Sequence, residues 1–108
     1  MSKASIPKDI QQQVSTIVEQ FNRTTMNAPR NYYAVRFRGR FAYVDHCQQG
    51  RVGPMCRLEY GGDMKEWGFA IYKYSRNGYD ADEFMFPGSE HVDGTVPGAL
   101  KAVREAYP

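Results

Sequence analysis

The chain has 108 residues, 42% hydrophobic, 24% charged and 14% aromatic, with a formal net charge of +2. A single domain over 1–108 is expected, long enough to bury a core without metal or disulfide staples; a collagen-like or disordered polymer, a coiled coil and a two-domain enzyme are excluded. No run of 18 apolar residues is present, so no membrane contact by a spanning helix is expected, and the opening MSKASIPKDI lacks the apolar stretch of a secretory signal, which makes the cytoplasm the expected location.

The first predicted element is an N-terminal helix. Ile6, Ile10, Val14, Ile17, Val18 and Phe21 recur at helical spacing among polar residues, giving an apolar stripe on a polar rod. Ser5 is the expected cap, and Pro7 fits the first turn. Residues 22–31 lose the stripe, and Pro29 disfavours a helical Ala28. Strands are expected at 32–38, 40–48, 54–60 and 66–75, rich in tyrosine, valine and phenylalanine. Gly39, the turn-like Gln49-Gly50-Arg51-Val52-Gly53 and Gly61-Gly62-Asp63 separate them. Residues 76–94 read as loop, with a short fifth strand at 83–86. Thr95 caps a final helix that has Pro97 in its first turn and Ala99, Leu100, Val103 and Tyr107 on its apolar side. Such short connections favour an antiparallel meander. The expected class is α+β: an antiparallel four- to five-stranded meander sheet with an N-terminal and a short C-terminal helix.

Strand side chains alternate between faces, so parity tests the register. Tyr60 opposite Trp67 sets Leu58 against Phe69 and Cys56 against Ile71. Extending this with Tyr43 opposite Tyr60, Cys47 opposite Cys56 and a three-residue turn at Arg38-Gly39-Arg40 gathers Tyr33, Val35, Phe37, Phe41, Tyr43 and Cys47 onto the same apolar face. Asp45 is its odd member. A two-residue turn at Gly39-Arg40 would flip the first strand relative to the second.

The opposite face then carries Tyr32, Ala34, Arg36, Arg38, Ala42, Val44, His46, Arg57, Glu59, Ala70, Tyr72 and Tyr74. Charge is unevenly spread: residues 1–60 hold nine basic and four acidic side chains, residues 61–108 five and eight. Between 23 and 57 there are seven arginines, no lysine and one acid, Asp45. Three uses of this face are open. It is plain solvated or helix-covered surface, a protein interface, or a platform on which guanidinium groups meet phosphates and rings stack on bases. Ala34, Ala42, Val44 and Ala70 favour a packed partner.

Residues of catalytic type form no convincing constellation. His46 and Cys47 are adjacent on a strand and point apart, and Asp45 on the face of Cys47 would raise a thiol pKa rather than lower it. Cys47 and Cys56 make neither a disulfide framework nor a zinc motif. The acids at 80–83 and 90–93, with His91, resemble a solubilising loop more than the spacing of a calcium loop. No catalytic residue, metal site or cofactor is therefore assigned. The leading expectation is a small non-enzymatic binding protein that associates with a protein, either another copy or a partner, through Arg36, Arg38, Arg40, Arg57, Tyr72 and Tyr74. Single-stranded nucleic-acid binding is the alternative, and an enzyme built on the acidic 80–93 loop ranks third.

Overall fold

A computed structural model describes residues 5–27 and 29–107. Ala28 and the first four residues, on which the expected helix stop and part of the N-terminal reading fell, lie outside the described residues. Helix α1 (Lys8–Phe21) is followed by strands β1 (Asn31–Arg38), β2 (Phe41–Gln48), β3 (Arg51–Tyr60), β4 (Trp67–Lys73) and β5 (Gly78–Asp80), and then by helix α2 (Val96–Ala106). The strands form one antiparallel sheet in the order β1-β2-β3-β4-β5, and both helices pack on the same side of it. The α+β class and the meander are as the sequence implies.

Local details follow from local chemistry. Pro7, not Ser5, stands at the cap position of α1, with no side-chain cap; its carbonyl accepts from the Gln11 N–H at 2.9 Å. The helix does not fade after Phe21 but widens into a π turn, Asn22–Met26, which buries Met26 and ends at left-handed Asn27. Asn22 uses its side-chain amide to clasp Tyr33 on β1, accepting from the Tyr33 N–H and donating to its carbonyl, both at 2.8 Å. At α2, Thr95 is the expected cap, its hydroxyl accepting from the Gly98 N–H at 3.1 Å. Ala99, Leu100 and Val103 of the expected stripe are buried.

Two tight turns set the register. Gly39 has φ +61° and Arg40 a negative φ, the pattern of a two-residue type II′ hairpin; Gln49 and Gly50 are both positive, +50° and +84°, as type I′ requires. Val35 therefore faces Val44, and Phe37 faces Ala42. The expected three-residue turn is replaced by a two-residue one, and β2 is inverted relative to the expectation. Ala42 and Val44 point to the helices and are fully buried, whereas Phe41, Tyr43, Asp45 and Cys47 point away.

Strand β3 begins at Arg51, three residues before the expected start, so Gly53 lies within a strand rather than a turn. A side chain there would meet the Tyr74 hydroxyl at 2.8 Å. Between Val44↔Cys56 and Asp45↔Pro54 the pairing slips by one, leaving Met55 as the extra residue of a bulge, where a proline in a central strand is tolerated. Cys47 consequently faces Val52, not Cys56. The β3–β4 register is the expected one: Tyr60↔Trp67, Leu58↔Phe69 and Cys56↔Ile71. The fifth strand is Gly78–Asp80, paired with β4, while 83–86 is irregular, with Phe86 stacked on Phe69.

The core runs from Val14 and Val18 through Tyr33, Val44 and Leu58 to Leu100 and Val103. Tyr33 is sealed in it, stacked on Phe21 (5.6 Å, 11°) and edge-on to His46 (5.2 Å). Its hydroxyl has no hydrogen-bond partner among the described residues. Burial pushes its pKa up to about 12, against an opposing pull from Arg104.

Two predictions follow from this packing. With Tyr43 outside and Val44 inside, Tyr43→Lys keeps a cooperative urea transition and Val44→Lys abolishes it, because only the second buries an ammonium group without a partner. For Tyr33 the folded state holds a proton that the unfolded chain releases above its ordinary pKa near 10. That contribution is complete below pH 10 and is lost as pH rises toward 12. Tyr33→Phe, which removes an unpaired buried hydroxyl, is expected to be at least as stable as the parent at pH 7. It is also expected to lose less stability between pH 9 and pH 11, as read from urea unfolding.

Candidate binding face of the sheet

The side of the sheet turned away from the helices is built by the outward parity of each strand. β1 contributes Tyr32, Ala34, Arg36 and Arg38; β2 contributes Phe41, Tyr43, Asp45 and Cys47; β3 contributes Arg57 and Glu59; β4 contributes Ala70 and Tyr72; β5 contributes Tyr79. Arg36, Arg38, Arg57 and Tyr72 thus share a face, as their positions in the sequence suggested. Inverting β2 removes Ala42, Val44 and His46 from it and adds two rings and a carboxylate.

These side chains are ordered by one another. Arg36 Nε donates to Asp45 Oδ2 at 2.9 Å, and its guanidinium carbon stands 4.6 Å from the centre of the Tyr43 ring. Arg57 lies over Phe41 at 4.7 Å and over Tyr79 at 5.4 Å. Tyr79 meets Tyr43 edge-on at 5.7 Å and Tyr72 at 5.1 Å. The hydroxyl of Tyr72 bonds Asn77. A guanidinium group held against a ring face is attracted by the ring quadrupole and loses rotamer freedom before any partner arrives. Asp45 is buried although Arg36 is well exposed, and their hydrogen bond raises the Arg36 pKa above its ordinary value. Burial, then Asp45, pushes the Tyr79 hydroxyl up.

Arg40 lies apart from this array, whereas Tyr74 reaches its edge, meeting the Tyr72 ring edge-on at 4.9 Å. Arg40 occupies the β1–β2 turn, where Nε lies 2.8 Å from Glu59 Oε2 and Nη2 donates to the Tyr60 carbonyl at 3.2 Å. Tyr74 falls just past β4, where its hydroxyl donates to the Pro54 carbonyl at 2.9 Å and its ring packs edge-on against Tyr107 of the α2 terminus, 5.6 Å away. Of the four small residues expected to mark a packing surface, only Ala34 remains half-exposed on this face. Ala42 and Val44 belong to the core, and Ala70 is buried, with Ala81 and Phe84 lining the shallow depression beside it.

Three acids of the loop have partners within the chain, and Glu90 stands with His91 and Glu105, their ligand atoms within 4.8 Å of one another. Asp80 pairs with Arg76 at 2.7 Å, Glu83 with Lys73 at 2.7 Å, and Asp93 accepts from the Thr95 hydroxyl at 2.6 Å. The partners of Glu83 and Asp93 hold both carboxyls below their ordinary pKa. His46 is bonded to Asn31, while His91 sits beside Glu105, so the two histidines have different partners. Cys56 is fully buried, and burial raises its thiol pKa.

The expected register assigns Phe41, Tyr43, Asp45 and Cys47 to the other face and leaves Tyr79 in a loop. The signal that contradicts it in the sequence is Asp45, an acid among apolar residues. For Tyr79 the sequence carries no signal, because its strand is too short to show a period. Comparison of the chain with protein-family models, with curated proteins and with solved structures finds no match.

The Arg36–Asp45 pair is expected to be energetically lopsided. Removing Arg36 strands a buried carboxylate, whereas removing the charge of Asp45 leaves an arginine that water can solvate. Arg36→Ala is therefore expected to cost about 1–3 kcal/mol in urea unfolding, and Asp45→Asn less than about 1 kcal/mol.

Proposed function

We propose that the chain is a non-enzymatic binding protein whose helix-free sheet face docks a different protein, one presenting carboxylates beside apolar side chains. The observation that carries this reading is the stacking of Arg57 over Phe41 and Tyr79 next to the Arg36–Tyr43 pair. Arginine and aromatic residues are the types that anchor protein interfaces, and here they are already fixed in place. Among the described residues no carboxylate pairs with Arg38 or Arg57, whereas Asp45 answers Arg36 and Glu59 answers Arg40. The face thus keeps an excess of positive charge, which favours an acidic partner and disfavours a second copy laid on it face to face.

Single-stranded nucleic acid is the weaker reading. Base stacking needs open ring faces, and guanidinium groups already lie over Tyr43, Phe41 and Tyr79. No helix among the described residues is long and apolar enough to cross a membrane.

Selection of a random peptide library on the intact protein tests the reading. The expected binders are rich in aspartate or glutamate beside leucine or aromatic residues, and they bind Arg57→Ala at least tenfold more weakly. Peptides that bind Arg57→Ala and Tyr79→Ala as tightly as the parent would remove the face from consideration. Oligothymidylate binding that falls steeply between low and moderate salt would assign it to nucleic acid instead.

A further inference from the structure

We propose that the trough between α1 and α2, on the helical side of the molecule, is a binding site for a small amphipathic carboxylate. The trough is an open groove of about 700 Å³, a size within the range of small-molecule sites. It stands apart from the arginine face and does not depend on the function proposed for it.

The two walls are helical stripes of matched length. The first spans 17–25, the end of α1 and its π turn; the second spans 97–105 on α2. Each covers about two turns, roughly 12 Å. The floor is apolar: Ile17 and Phe21 are half-buried and face the trough, and Leu100 is sealed beneath them in the core. Phe21 is held by its stack on Tyr33, so the floor exists before a ligand arrives.

The rim is cationic. Lys101 and Arg104, three residues apart on α2, line the trough, and among the described residues neither is in ion-pair contact with a carboxylate, although Lys101 stands near enough to Asp93 to help lower its pKa. One acid also lines it, Glu105, but His91 Nε2 lies 3.3 Å from its Oε2. An apolar floor beneath two unpaired cations is complementary to an apolar body that ends in an anion. A docked peptide helix suits the site poorly, since two turns fall short of the length at which helices are stable alone.

The test titrates decanoate, below its micelle concentration, into the labelled full chain while amide resonances are followed by NMR. Decanol and inorganic phosphate serve as single-feature probes. Expected are saturable shifts confined to 17–25 and 97–105, with decanoate binding at least tenfold tighter than either control. Replacing Lys101→Ala and Arg104→Ala together is expected to weaken decanoate at least tenfold and leave decanol unchanged. The proposal is overturned by the absence of saturable shifts, by shifts scattered over the surface, or by decanol or phosphate matching decanoate. If the double variant does not fold, the comparison of decanoate with its controls on the parent protein decides alone.

Discussion

A two-residue hairpin turn leaves an antiparallel strand no choice of register. The chain has two in succession, and together they fix which side of β2 meets the helices. Gly39 takes the positive φ that a type II′ turn needs at its first position, and Gln49-Gly50 takes two positive values in a row. From these follow Ala42 and Val44 inside and Tyr43 and Asp45 outside. Shifting either turn by one residue would send Val44 to water and bring Asp45 under the helices, a change that hydrophobic and desolvation terms both oppose. The arginine face is in this sense a by-product of core selection. Arg36, Arg38 and Arg57 are outside because Val35, Phe37, Leu58 and Cys56 are inside.

The same logic governs the edges. A long edge strand such as β1 offers backbone groups to any passing strand. Asn22, projecting from the π turn, occupies both groups of Tyr33, and charged Arg36 and Arg38 flank the remainder. At the far edge β5 is only three residues long. Association by sheet extension is thereby discouraged at both ends.

How much of this was legible in the sequence depended on how sharply each strand distinguishes its two sides. In β4 and the second half of β3, Trp67, Phe69 and Ile71 alternate with Gly68 and Ala70, and Leu58 and Tyr60 alternate with Arg57 and Glu59, so the β3–β4 register could be read directly. Strand β2 has apolar residues on both parities, Phe41 and Tyr43 on one and Ala42 and Val44 on the other. Its alternation decides nothing, and larger rings outvoted the smaller residues that actually fill the core. The Met55 bulge shifts the pairing by one at a point no periodicity marks, which explains the misplaced partner of Cys47. Strand β5 is too short to show a period at all. The helix-side trough was hidden for another reason: Ile17, Phe21 and Leu100 read as ordinary stripe residues, and only the approach of the two helices shows that the stripes do not close completely over one another.

Dimensions explain why one face of the sheet stays open. Five strands spaced about 4.8 Å apart make a sheet about 20 Å wide, and two helices side by side, each about 10 Å across, cover that width once. Among the described residues no further helix of comparable length is available for the other side. An uncovered face must then be compatible with water through its own side chains. Alternating aliphatic residues would expose an apolar sheet that aggregates, and a lawn of lysines would remain mobile. Arginine stems laid on tyrosine and phenylalanine rings satisfy the constraint differently: the rings are shielded, and the exposed guanidinium of Arg36 stays hydrated while it is held by Asp45 and Tyr43. A surface of that kind is stable in water and needs little reordering, which is the property that the binding role proposed for it would call on.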